Sequence, residues 1–155
     1  MNYYSGYINE LKDNEIFVFG SNPEGRHGAG TAKIAKEKFG AEYGVGRGLT
    51  GQCWALPTKN LKPNFYEKAS GITYEKDGFK SISKEQIISN IKDLYDYAEK
   101  NQDKRFYIAY TYEGFNLNGY TGDEMFEMFN YHNIPNNIIF NDTFEVKFNE
   151  IELKR

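Results

Sequence analysis

The chain has 155 residues, and residues 1–155 read as one domain with no internal repeat or low-complexity linker. Its net charge of −3, without any basic run, excludes wrapping a nucleic-acid backbone. One cysteine, Cys53, excludes an internal disulfide, and no apolar stretch reaches the ~20 residues of a membrane span. Residues 1–8 lack the basic region and apolar core of a secretory leader, so the cytoplasm is the expected location. The 13 Tyr, 12 Phe and single Trp serve mainly as core and its margins, with some free to stack on a base.

Residues 3–8 suggest an edge strand, and Ile16-Phe-Val-Phe19 is a short apolar strand buried on both faces. Residues 29–39 predict a helix, with Ala32, Ile34, Ala35 and Phe39 apolar and Gly40 at its end. Residues 52–57 predict a second strand, stopped by Pro57. Residues 59–82 are ambiguous, with Ile72-Thr-Tyr74 as a short strand. Ser83-Lys-Glu-Gln86 is a capping box opening a helix whose stripe is Ile87, Ile88, Ile91, Leu94, Tyr95 and Ala98. Residues 106–111 predict a third strand. Thr121-Gly-Asp-Glu124 is a second capping box before Met125, Phe126, Met128 and Phe129, and residues 137–140 predict a last strand. This alternation predicts a three-layer α/β/α fold around a mixed, mostly parallel sheet.

Gly46-Arg-Gly-Leu-Thr-Gly51 matches GxGxxG, but a strand follows it where a dinucleotide fingerprint needs one before it. It reads as a wide turn. No GxxxxGK[ST] occurs, which excludes a P-loop. Residues 18–30, Val-Phe-Gly-Ser-Asn-Pro-Glu-Gly-Arg-His-Gly-Ala-Gly, have the order strand, glycine loop, helix. Glycines there let backbone approach a ligand, and the free N–H groups of the following helix favour a phosphate. Residues 111–121, Thr-Tyr-Glu-Gly-Phe-Asn-Leu-Asn-Gly-Tyr-Thr, leave another strand end. Two such loops beyond the carboxyl ends of strands would close on a diphosphate.

Five segments in this order resemble the macro domain superfamily, the ADP-ribose-binding fold, and within it a compact bacterial and phage branch. They are Phe17-Val-Phe-Gly-Ser-Asn22, Gly25-Arg-His-Gly-Ala-Gly30, residues 41–51, Ala55-Leu-Pro-Thr-Lys59, and residues 106–109 with Gly119-Tyr-Thr121. The resemblance implies that Asn22 contacts the distal ribose. It implies that Gly20, Ser21, Gly25, Arg26, His27, Gly28, Ala29 and Gly30 line ribose and diphosphate. Gly114, Phe115, Asn116, Leu117 and Asn118 would form the second diphosphate loop. There the chain departs from the pattern, carrying Asn116 for a glycine and Asn118 for a small residue. Phe140 and Asn141, at the end of the last strand, would stack on and accept from adenine.

His27, with Glu24 and Glu113 as nearby carboxylates, is the candidate general base or acid; Asn22, His27 and Glu113 form the candidate catalytic set. The competing structural role is that His27 orders its loop. Three readings stay open: a hydrolase of an ADP-ribosyl bond or a cyclic ADP-ribose signal, a reader or sponge for such a nucleotide, and an unrelated α/β protein with structural loops. The resemblance to phage relatives implies a counter-defence role for the first two. The expected partner is a small molecule, with no nucleic acid, membrane, cofactor or metal. Two distant histidines and one cysteine give no metal-ligand spacing, and Cys53 reads as a buried thiol.

Overall fold

A computed structural model describes residues 1–154. Among them, six strands form one sheet: β1 (Tyr3–Tyr4), β2 (Glu15–Ser21), β3 (Gly48–Thr50), β4 (Cys53–Pro57), β7 (Arg105–Ile108) and β8 (Ile138–Asn141). Two more, β5 (Phe65–Glu67) and β6 (Ile72–Tyr74), form a separate antiparallel hairpin. The helices are α1 (Gly30–Phe39), α2 (Lys84–Glu99), α3 (Gly122–Phe129) and α4 (Glu145–Leu153), the last preceded by a 3-10 turn over Asp142–Phe144.

The sheet order is β1-β8-β7-β2-β4-β3, parallel throughout except for the β3–β4 pair. Strand β2 explains the three layers, because successive side chains point to opposite faces. Ile16 and Val18 join a core with Ile87, Ile91 and Leu94 of α2, Met125 and Phe129 of α3, and Phe148 of α4. Phe17 and Phe19 point the other way, into a smaller core with Ala32, Ala35 and Phe39 of α1. On that second face α1 is joined by the extended N-terminal segment, whose Ile8 and Leu11 pack at the margin.

Local signals fix the helix ends. Thr121 and Glu124 form a reciprocal capping box at α3. Ser83 caps α2 through Gln86 N–H, but the return half is absent: the Gln86 side chain donates to Asn90 Oδ1 instead. Gly40 ends α1 in the left-handed conformation, φ 81°.

Three expectations differ in detail. Residues 48–50 are not part of a wide turn; they form β3, joined to β4 by a two-residue turn with Gly51 at φ 57°. Strand β7 stops at Ile108, after which only Ala109 N–H still bonds β2, to Val18 O at 2.8 Å. Residues 109–111 are thereby released to line a cavity. The C-terminal 3-10 turn and α4 were not anticipated; Phe144 and Phe148 seat them on the larger core.

Candidate nucleotide-binding cleft

Strands β2 and β7 are parallel neighbours, yet their loops diverge: β2 leads to α1 on one face, β7 to α3 on the other. Such a switch point opens a crevice beyond the carboxyl ends of the strands. A cavity of about 640 Å³ lies there. Its floor is Gly20, Ser21 and Asn22 from the end of β2, Thr58 and Lys59 after β4, and Ala109, Tyr110 and Thr111 after β7. One wall is Arg26 and residues 28–32; the opposite wall is residues 115–118. The loops meet across it: a Cβ on Gly30 would lie 2.9 Å from Leu117 Cδ1.

The first loop is built from its own backbone. The Asn22 side chain accepts from Arg26 N–H at 2.9 Å and donates to Arg26 O at 2.8 Å, closing a small ring. One Nδ2 proton and one Oδ1 lone pair remain for a ligand. The Ser21 hydroxyl donates to Gly46 O, and Gly44 N–H donates to Gly25 O at 2.8 Å. A Cβ on Gly46 would collide with the Asn22 carbonyl. The glycines after α1 thus let residues 44–46 lie directly beneath the loop.

The second loop is stiffened by its two asparagines. Asn116 Nδ2 donates to Tyr120 O at 2.8 Å, and Asn118 Oδ1 accepts from Tyr120 N–H at 2.9 Å. These bonds give Asn116 and Asn118 a physical role where the resemblance implies glycine and a small residue. Lys80 N–H also donates to Asn118 O at 2.7 Å, tying the loop to the segment after the β5–β6 hairpin.

The electrostatics of the cavity are one-sided. Among the described residues, Arg26 and Lys59 are its only charged lining residues, and neither carboxylate nor imidazole lines it. Arg26 is exposed, 3.8 Å from Glu24 and 3.3 Å from the Tyr43 hydroxyl. Helix α1 begins at this wall with Ala29 as N-cap, without a capping side chain and without an acid in its first turn. Its uncapped first turn, with a positive dipole end, therefore borders the cavity without a compensating side chain. The far end is aromatic and apolar, from Tyr4, Tyr7, Ile8 and Ile34. Tyr4 in β1 and Lys59 after β4 sit on strands four steps apart, about 19 Å at ~4.8 Å per step.

Several expected site residues lie elsewhere. His27 is buried behind the loop, its Nε2 2.9 Å from Glu42 O and its ring edge-on to Phe19 at 5.2 Å. Gly25 packs on the backbone of Gly44 and Val45. Glu113 and Gly114 are exposed and do not line the cavity. Phe140 is fully buried against Phe129, Phe144 and Phe148. Asn141 caps the 3-10 turn through Thr143 N–H and donates to Gly6 O, so neither residue reaches the cavity. Gly20, Ser21, Asn22, Arg26, Gly28, Ala29, Gly30, Phe115, Asn116, Leu117 and Asn118 do line it.

Sequence reasoning missed Lys59, Thr58, Tyr110 and the N-terminal residues. Lys59 carried a usable signal, two residues beyond the end of a parallel strand. Among the described residues no group of three or more His, Cys, Asp or Glu is placed to hold a metal ion. None of their helices is long and apolar enough to cross a membrane. Comparison of the chain with protein-family models, with curated proteins and with solved structures finds no match.

Proposed function

We propose that this chain binds ADP-ribose, or a closely related NAD-derived nucleotide, and holds it without turning it over. One observation carries the reading: an elongated cavity at the sheet's switch point is lined by two cations and an uncapped helix N-terminus and, among the described residues, by no acid. Backbone N–H groups at residues 28–31 suit a diphosphate, because they supply donors without needing basic side chains. The aromatic end at Tyr4 and Tyr7 suits a base. Asn22 keeps one donor and one acceptor for a ribose hydroxyl. The resemblance to macro domains agrees with this ligand class.

Holding is favoured over hydrolysis because, among the described residues, no carboxylate or imidazole, the commonest general acids and bases, lines the cavity. His27 is turned to Glu42 O, and Glu113 is outside the cavity. Sequestering an NAD-derived signal is the role such a protein would serve in phage counter-defence.

The test is incubation with ADP-ribose, cyclic ADP-ribose and ADP-ribosyl phosphoesters, followed by mass-resolved chromatography before and after denaturation. Intact ligand released only on denaturation supports sequestration. A changed mass restores the hydrolase reading. No heat in calorimetry and no thermal shift with any of them leaves an α/β protein with structural loops.

A further inference from the structure

We infer that Lys59 is a ligand-binding residue whose ammonium contacts a phosphate, giving the cleft its preference for anionic over neutral nucleosides. This rests on the nucleotide reading but adds to it, since the phosphate donors named there are the backbone N–H groups at residues 28–31, and Lys59 enters it only as positive charge.

The backbone on either side of Lys59 is pinned. Thr58 N–H donates to Ser21 O at 3.0 Å, and Thr58 Oγ1 lies 3.2 Å from the Tyr110 hydroxyl. Asn60 N–H donates to Ser81 Oγ at 2.7 Å, and its side chain holds the carbonyls of Lys62 and Lys76. The Lys59 side chain itself is half-buried, lines the cavity and has no carboxylate within ion-pair distance among the described residues. Its ammonium lies over the ring of Phe79, 5.1 Å from the centroid. Lys80, by contrast, is paired with Glu124.

A cation over a ring as exposed as that of Phe79 is held weakly; a charge-assisted bond to phosphate is stronger. A phosphate in the cleft would therefore draw the ammonium from Phe79. A pinned backbone lowers the ordering cost of that contact to the side chain alone. Arg26, the other cation of the cleft, is already shared with Glu24 and Tyr43 at its Nε, whereas the Lys59 ammonium faces no carboxylate among the described residues.

The experiment is calorimetry at low and high ionic strength with two probes, ADP-ribose and inorganic pyrophosphate, on the wild type, Lys59→Met and Lys59→Arg. Lys59→Met is expected to weaken both probes by about tenfold and to flatten their salt dependence. Lys59→Arg is expected to keep both, because the charge is retained. The side-chain resonances of Lys59 in the wild type should shift on adding pyrophosphate, a readout that needs no variant to fold. Unchanged affinity and salt dependence in Lys59→Met overturn the inference and leave the nucleotide reading standing. Lys59-dependent binding of pyrophosphate without binding of ADP-ribose upholds Lys59 and overturns the nucleotide. Binding of neither probe by the wild type overturns both.

Discussion

The imidazole of His27 faces the backbone of Glu42 rather than the cleft, with Nε2 2.9 Å from that carbonyl oxygen. A carbonyl only accepts, so Nε2 carries the proton. Burial lowers the pKa from 6.5, and backbone contacts with Glu42 and Val45 only partly oppose this. As pH falls below 6.5, the unfolded chain takes a proton that the folded chain resists, so stability drops until the lower folded value is passed. His27→Gln should therefore lose about 1–2 kcal/mol at pH 7, and the gap should narrow toward pH 5. Urea unfolding of both proteins across that range measures the difference. A gap that does not change with pH would show that His27 titrates alike in both states.

Cys53 sits in β4 with its thiol 3.5 Å from Phe39 O, and burial pushes its pKa up to about 12. The thiolate is the reactive form. Iodoacetamide at pH 8 should leave the folded protein unlabelled for as long as it stays folded, and label it fully in urea. Rapid stoichiometric labelling without urea would contradict the buried placement.

What the sequence revealed was local. Thr121 and Glu124 are three residues apart, and their capping box needs nothing beyond that turn. Ile16 to Phe19 is apolar at every position, which marks a strand covered on both faces. Phe140 misled for the same reason: an apolar run such as Ile138-Ile-Phe140 does not say which face of the sheet its ring takes. The direction of His27 depends on residues 42–45, which reach it only once α1 has folded back. Arg47 and Glu67 meet across 20 residues of chain with no shared pattern to announce them. The Asn22 ring at Arg26 N–H and O is also invisible in the letters, though Asn22 itself was singled out.

That Arg47–Glu67 pair ties the β5–β6 hairpin to the body. Arg47 Nη2 and Nε lie 2.9 and 3.1 Å from the two Glu67 oxygens, Tyr74 donates to the same carboxylate at 2.8 Å, and Arg47 Nη1 reaches Asn90 at 2.8 Å. Burial opposes ionisation of Glu67, but bonds from Arg47, Ser70 and Tyr74 outweigh it and hold the carboxyl below its ordinary value of 4.5. Its stabilising contribution is thus present above pH 4.5 and lost as pH falls through the lower folded value. Glu67→Gln should cost about 3 kcal/mol at neutral pH, because it removes the buried carboxylate of Arg47 and leaves only the exposed Asp93, 3.9 Å away, as an acidic partner. Chemical unfolding at pH 7 and pH 4 checks both the size and the narrowing. A loss under about 0.5 kcal/mol would mean the pair behaves as an exposed one.

Gly20 and Gly28 separate the scaffold of the cleft from its opening. A Cβ on Gly20 would collide with the hydroxyl of Tyr110, and the ring carbon behind it lies 3.1 Å away. Tyr110 has little room to yield, because it is buried, packs on Phe129 at 5.7 Å and bonds Thr58 at 3.2 Å. Gly20→Ala should cost about 1–3 kcal/mol through overpacking, and adding Tyr110→Phe should recover part of that. At Gly28 an added Cβ meets nothing within 4 Å, although the residue lines the cavity. Gly28→Ala should therefore keep stability within about 0.5 kcal/mol of the wild type. It should still weaken ADP-ribose by roughly tenfold or more, because the methyl group occupies the space through which phosphate approaches the backbone. Thermal melts and calorimetry on the two variants test this contrast. Wild-type affinity in Gly28→Ala would move the phosphate away from the α1 N-terminus, and with it the ligand's course through the cleft.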